Sequence, residues 1–256
     1  MSDRNAKRKK NLKRKKARSL SRPVKSNFFS SQKNKDGSPI VIQRFTYNIT
    51  REPLNPASEE IFSDLDQKNY AEAFESLRDG RAKAAIPIFQ ELLVRYPKAG
   101  RLYNNLAACF ERLGEIDRAE EMIKMNYNTN PTYLFGRLDY ANFCVNHDAI
   151  EEVPKIFNGL YDLKLLYPER DTFHIMEVIA FNKFMALYFA LINRTETAMI
   201  YAKILMSLSP DDPMLFKLIA LMKPRVTENF LQGKSFFDAD PREIRDEILQ
   251  QQLLQP

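Results

Sequence analysis

Residues 101–131 read RLYNNLAACFERLGEIDRAEEMIKMNYNTNP, and the spacing inside this stretch decides the fold. Tyr103, Leu106, Ala107 and Phe110 fall at the i, i+3, i+4 and i+7 positions that line one face of a helix. Ala107 is small enough to let a neighbouring helix come close. Gly114 ends the helix, because glycine takes a left-handed backbone at little cost. Asp117 reads as the N-cap of a second helix, with Glu120 and Glu121 suited to its positive end. Ala119 faces the first helix at close range. Pro131 stops the second helix, since it has no N–H and disfavours helix in the residue before it. One such hairpin cannot bury its own apolar faces, so hairpins of this kind stack.

The pattern recurs. Pro97 lies 34 positions before Pro131, Gly80 lies 34 before Gly114, and Ala85 and Phe89 stand where Ala119 and Ile123 stand. Shifted by 79 positions, the central pattern falls on Asn182, Met185, Ala186, Phe189, Ala198, Ala202 and Pro210. In the first unit Asn69, Glu72 and Ser76 break the stripe, and Tyr70, Ala73, Phe74 and Leu77 carry a face shifted by one. Over residues 55–223 the chain thus resembles the tetratricopeptide repeat (TPR) family, whose unit is a helix-turn-helix of 34 residues. The expected fold is all-α: a right-handed α-solenoid of about four TPR-like helical hairpins with terminal helices, preceded by a disordered basic N-terminal tail.

The resemblance also implies an activity, the binding of a protein or peptide segment in a concave groove lined by first-helix side chains. Arg101, Asn104, Ala108, Glu111 and Arg112 are the candidate groove residues of the central unit, with Arg137 and Lys183 adding charge from later repeats. Asn104 has an amide that can hydrogen-bond an extended backbone. The plainer alternative is that these are solvated helix faces. A chaperone-tail carboxylate clamp would resemble Lys-x-x-x-Asn in a first helix, but Tyr70 and Phe74 occupy the corresponding positions.

Charge divides the chain. Residues 1–35 hold 14 of the 39 Lys and Arg against one of the 33 acids, a local net charge of +13; the rest holds 25 basic and 32 acidic residues, a net charge of −7. Lys7, Arg8, Lys9, Lys10, Lys13, Arg14, Lys15 and Lys16 form a block too charged to fold alone. Three readings stand side by side: nonspecific contact with RNA or DNA phosphates, a nuclear localisation signal if the source cell has a nucleus, and a solvated tail. No aromatic residue interleaves the block, so base stacking has little support.

The expected organisation is a tail and linker over 1–36, an extended segment over 37–54, the helical repeats over 55–223, and a C-terminal extension over 224–256 with one short helix opened by Asp240-Pro241. In the extended segment Val41, Phe45, Tyr47 and Ile49 alternate in part. With no second strand in view, the segment is expected to lie across the repeats, in the groove or simply stabilising them. Asn55-Pro56 is expected to start a leading helix that runs to about Asp79, with Arg81 to Tyr96 as its partner. The third repeat is expected to pair a helix through Tyr140, Ala141 and Cys144 with a second through Val153, Phe157 and Leu160. Asp171 is then expected to cap a helix from Thr172 to Ile192, followed by helices Thr195 to Leu208 and Met214 to Met222.

Catalytic chemistry is not in view. The sequence holds two His and two Cys and carries no Gly-rich phosphate loop or nucleophile elbow. His147, Asp148 and Glu151 read as a polar turn rather than a metal site, and His174 with Glu177 reads as unremarkable. Cys109 and Cys144 read as buried thiols. No metal and no cofactor is expected. No apolar run approaches a membrane span, no secretory signal precedes the charged block, and a cytoplasmic location is expected. The first functional reading is a non-enzymatic scaffold or adaptor, including a chaperone-like binder of one partner. The alternative is an RNA- or ribosome-associated protein that grips phosphates with its tail.

Overall fold

The computed structural model describes residues 24–25, 46–52 and 61–222. The basic block, the Asn55-Pro56 start and the extension over 224–256 lie outside the described residues. Two compact units divide the chain, one over residues 54–160 and the other over residues 1–53 with 161–256.

The unit over residues 54–160 is built from stacked helical hairpins. Its helices are α1 (Asp64–Arg78), α2 (Ala82–Arg95), α3 (Gly100–Arg112), α4 (Ile116–Thr129), α5 (Leu134–Asn146) and the single turn α6 (Val153–Ile156). Ala73, Leu77, Ala85, Phe89, Leu92, Leu102, Leu106, Phe110 and Ala119 bury together as one core, in which the repeat pattern had picked out all but Leu92 and Leu102. Gly80 and Gly114 close the first two turns with φ of 83° and 74°, a region where a Cβ would be strained. Pro87 sits in the first half of α2 without ending it.

Several expectations at the helix ends are corrected. Helix α1 begins at Asp64, because the Ser63 side chain accepts from the Asp66 backbone N–H, so no continuous helix runs through from residue 55. Phe74, read as part of the buried face, is 42% exposed and stacks on Tyr70 instead. Asp117 is not a cap: α4 starts two residues earlier than such a cap implies, at Ile116, with Glu115 at the N-cap and no side-chain cap bond. The third hairpin lacks a full second helix. A 3-10 turn over Ile150–Glu152 leads into α6, which ends because Asn158 and Gly159 both take positive φ.

The other unit pairs a strand with a helical hairpin. Strand β2 (Thr46–Thr50) lies between β1 (Val24–Lys25), antiparallel to it, and β3 (Thr172–His174), parallel to it. This corrects the expectation that the extended segment has no strand to pair with. Strand β2 is anchored by Tyr47, whose buried ring meets the Phe173 ring edge-on at 5.1 Å. Burial, the negative Asp162 nearby and an opposing hydrogen bond with Asn182 leave the Tyr47 hydroxyl far above its usual range.

The one-turn helix α7 (Leu163–Leu166) precedes β3, and Asp171 does not cap the next helix. Helix α8 (Ile175–Leu191) is capped by His174, whose ring accepts from the Met176 backbone while Glu177 accepts from the His174 backbone N–H at 2.8 Å. That reciprocal capping box is the role of a pair the sequence left unremarked. Glu177 is also held by Arg170 through two hydrogen bonds of 3.0 and 2.7 Å. Helix α9 (Thr195–Leu208) packs on α8, with the Phe189 and Tyr201 rings stacked at 5.5 Å. Asp212 caps α10 (Pro213–Met222) through a 2.9 Å bond from the Met214 N–H. Among the described residues, no helix is long and apolar enough to cross a membrane.

Candidate functional site

A pocket of about 450 Å³ opens among α3, α4 and α5. Helix α3 contributes Asn104, Ala108 and Glu111, α4 contributes Ile116, Glu120 and Ile123, and α5 with its cap contributes Asp139, Asn142, Phe143, Asn146 and His147. Ala107 and Ala119 form the floor, so the small residues that let the helices approach also leave the volume above them.

The candidate groove residues separate here. Asn104, Ala108 and Glu111 line the pocket together. Arg101 instead lies over the Phe62 ring at 3.9 Å and the Tyr70 ring at 4.9 Å. Arg112 donates to the Leu77 carbonyl oxygen at the end of α1, tying two hairpins together. Arg137 is buried and donates from Nε to the Pro131 carbonyl oxygen at 2.6 Å. Lys183 belongs to the other unit, where it pairs with Asp212 at 2.6 Å. Arg112, Arg137 and Lys183 are thus engaged inside the fold. Two further lining residues were within reach of the sequence, since Asn142 and Asn146 stand 34 positions after Ala108 and Arg112.

The polar groups of the pocket are oriented by the fold. Asn126, buried on α4, donates to the Asn104 side-chain oxygen and to the Gly100 carbonyl oxygen. The Asn104 NH2 is therefore the part of that amide turned to other partners. Asn142 donates to the Leu138 carbonyl oxygen at 2.9 Å, which leaves its side-chain oxygen as an acceptor.

Two kinds of carboxylate share the pocket. Glu120 is matched: Lys124 lies 3.6 Å away and His147 Nε2 lies 3.1 Å away. The other His147 nitrogen faces the Phe143 carbonyl oxygen at 2.9 Å, so only the imidazolium donates to both oxygens. Among the described residues no cation pairs with Glu111 or Asp139. Among the described residues none donates a hydrogen bond to either side chain, and burial raises the Glu111 carboxyl above its usual range. Burial and the negative charge of Glu111 push the Asp139 carboxyl up to about 7.

A second concavity of about 350 Å³ lies among α2, α3 and α4, lined mainly by apolar side chains such as Leu93, Val94, Met122 and Met125, with Gln90, Arg118 and Glu121 among them. Among the described residues no three His, Cys, Asp or Glu side chains gather as metal ligands.

Comparison with known proteins agrees with this architecture. The profile of the Tetratricopeptide repeat family matches residues 76–125. No curated protein matches the chain. Among solved structures, PilW, a type IV pilus biogenesis factor, is 17% identical over 73% of this chain and 80% of its own, with a TM-score of 0.51. Pseudomonas aeruginosa pilF is 16% identical over 72% of this chain and 75% of its own, with a TM-score of 0.48. A thermophilic TPR protein in Thermus thermophilus is 18% identical over 72% of this chain and 99% of its own, with a TM-score of 0.46. The PilW likeness is one of fold. The profile match over residues 76–125 coincides with the 34-residue period, the nested hairpins and the left-handed glycines at their turns, so that segment is similar to a tetratricopeptide repeat in both sequence and fold.

Proposed function

We propose that the chain is a non-enzymatic scaffold or adaptor that holds a protein segment in the pocket among α3, α4 and α5. The observation that carries this reading is the pairing of an oriented amide donor, Asn104, with an oriented acceptor on the next hairpin, Asn142, across one walled space that the Asp139 carboxyl also lines. An extended peptide presents alternating N–H and C=O groups, and a donor on one helix facing acceptors on another matches that alternation. Side chains of the peptide then meet Ala108, Ile123 and Phe143.

The test is selection of peptides on the intact chain, followed by affinity measurement on Asn104→Ala and Ala108→Arg variants. The first removes the donor and the second fills the space. Affinity is expected to fall by about tenfold or more in each, the size of a lost buried hydrogen bond or an overfilled contact. Peptides that bind both variants as tightly as the parent remove the reading.

A second reading rests on the eight Lys and Arg among residues 7–16. A block of that density grips RNA phosphates with strongly salt-dependent affinity. RNA titration of the full chain and of a chain lacking residues 1–35 tests it; the reading falls if removing the tail leaves low-salt binding unchanged.

A further inference from the structure

We propose that the pocket takes a Lys or Arg side chain of a partner protein, seated between Glu111 and Asp139, so that the segment held in the groove is a basic one. The inference rests on the groove reading above and deepens it by naming the chemistry of the partner.

Two carboxylates of the pocket are unmatched. Glu120 has Lys124 and His147 beside it, so its charge is balanced within the fold. Glu111 on α3 and Asp139 on α5 stand close enough for the charge of one to raise the proton affinity of the other. Among the described residues neither is paired with a cation and neither accepts a hydrogen bond. The Asp139 carboxyl is closely surrounded by protein and lines the pocket, although the residue as a whole keeps some solvent contact. Asp66, the buried carboxylate of α1, is treated differently: Tyr96, Ser63 and Arg95 all donate to it. Carboxylates held near each other away from bulk water are costly to ionise, and a cation set between them removes that cost.

The rest of the lining selects a side chain rather than a bare ion. A hard metal ion takes about six or more oxygen ligands, and among the described residues no three His, Cys, Asp or Glu side chains gather to supply them. Ala107 and Ala119 floor the space, and Ile123 and Phe143 line it. An apolar lining beside a pair of carboxylates matches the form of Lys and Arg, an aliphatic stem that ends in a charge. The Asn104 NH2 and the Asn142 side-chain oxygen, turned by their bonds to Asn126 and Leu138, are a donor and an acceptor for the backbone that carries such a residue. A neutral segment leaves both carboxylates without a partner, and an acidic one adds a further negative charge.

Selection from a random nine-residue peptide library on the full-length chain, at pH 8 and about 0.15 M salt, tests the proposal. Peptides whose binding Ala108→Arg abolishes are those seated in the pocket. Lys or Arg is expected at one shared position of these peptides. A synthetic copy with norleucine at that position keeps the stem and drops the charge, and is expected to bind the parent chain about tenfold more weakly, the size of one charge-assisted hydrogen bond. A Glu111→Gln, Asp139→Asn double variant is expected to bind the basic peptide and its norleucine copy about equally, as is Glu111→Lys, which supplies a cation from the chain itself. An Asp64→Asn, Glu72→Gln variant removes the same charge from exposed positions of α1 and is expected to keep the tenfold difference. Melting curves confirm that each variant is folded. Pocket peptides without a shared basic position overturn the proposal and leave the groove reading standing. So does a norleucine loss of the same size in the parent and the double variant, or one that the α1 variant abolishes as fully as the pocket variant. A selection that returns no peptide sensitive to Ala108→Arg removes both readings.

Discussion

Asn126 on α4 donates its side-chain amide to the Gly100 carbonyl oxygen at 3.1 Å, where the backbone of α3 begins. The same amide reaches the Asn104 side-chain oxygen, and Asn130 donates to the Asn126 oxygen at 3.0 Å. One buried residue thus fixes the start of α3 and the orientation of a pocket amide. Replacement by Ala removes a buried donor from the Gly100 carbonyl and the Asn104 amide together and is expected to cost about 1–3 kcal/mol in urea unfolding. It should also weaken peptide binding, because Asn104 loses the bond that turns its NH2 toward the pocket. Unchanged stability and unchanged affinity together would show that the amide holds nothing.

Gly100 is required by contact. A Cβ built there would lie 2.5 Å from Cδ1 of Tyr133, inside any permissible separation. Gly100→Ala is expected to destabilise the unit by about 1–3 kcal/mol, the usual range for overpacking. Adding Tyr133→Ala should recover part of the loss in the same unfolding measurement, and a double variant no better than the single one counts against the contact.

Two aspartates give opposite pH dependences. Asp66 accepts from the Tyr96 hydroxyl at 2.8 Å, from Ser63 at 2.9 Å and from Arg95 at 2.8 Å, and these partners, Tyr96 foremost, hold its carboxyl below the usual range against the opposing effect of burial. Its contribution is present above the unfolded-state value and is lost as the pH falls through the folded one. Asp139 is raised, to about 7, so the folded state binds its proton more tightly than the unfolded chain and stability falls as the pH rises from about 4 to 7. Melts from pH 3 to 8 separate them. Asp66→Asn should reduce the acid-side loss. Asp139→Asn should flatten the fall below pH 7 and add about 2 kcal/mol at pH 8, less than the full linkage value because the residue keeps some solvent. An Asp139→Asn profile that runs parallel to the parent's rejects the assignment.

Tyr47 ties strand β2 into its unit. Tyr47→Ala removes the edge-on contact with Phe173 and is expected to cost about 3 kcal/mol, as for other buried aromatic truncations. The signature is local. The Asn48 N–H, bonded to the Asp171 carbonyl oxygen at 2.8 Å, should lose hydrogen-exchange protection, while amides of α3 in the other unit keep theirs. Uniform loss across both units would mean that the strand is not anchored separately.

The central hairpin was legible because its signals are local: a four-residue apolar stripe, a left-handed glycine and a proline stop all act within a few turns of where they are written. The third hairpin misled for an equally local reason. Val153 and Phe157 have helical spacing, but Asn158-Gly159 directly afterwards takes positive φ and ends the helix after one turn. That dipeptide was readable as a break. The pairing of Thr46–Thr50 with Thr172–His174 was not readable, since three backbone-bonded residues far away in sequence leave no periodic trace. The pocket falls between these cases. Glu111 follows from its place on the first helix, and Asn142 from the period. Asp139 enters only through the angle at which α5 leans on α3 and α4, a property of packing that no spacing within α5 encodes.

Cys109 and Cys144 lie on α3 and α5, buried and not joined in a disulfide, and burial foremost raises the proton affinity of both thiols, the first to about 11. Only the thiolate reacts with alkylating dyes, so neither sulfur responds while its hairpin stays shut. The molecule therefore contains its own gauge of breathing: the rate at which each thiol takes up a dye in native buffer reports how often the second and third hairpins come apart, one position at a time, with no cysteine to engineer.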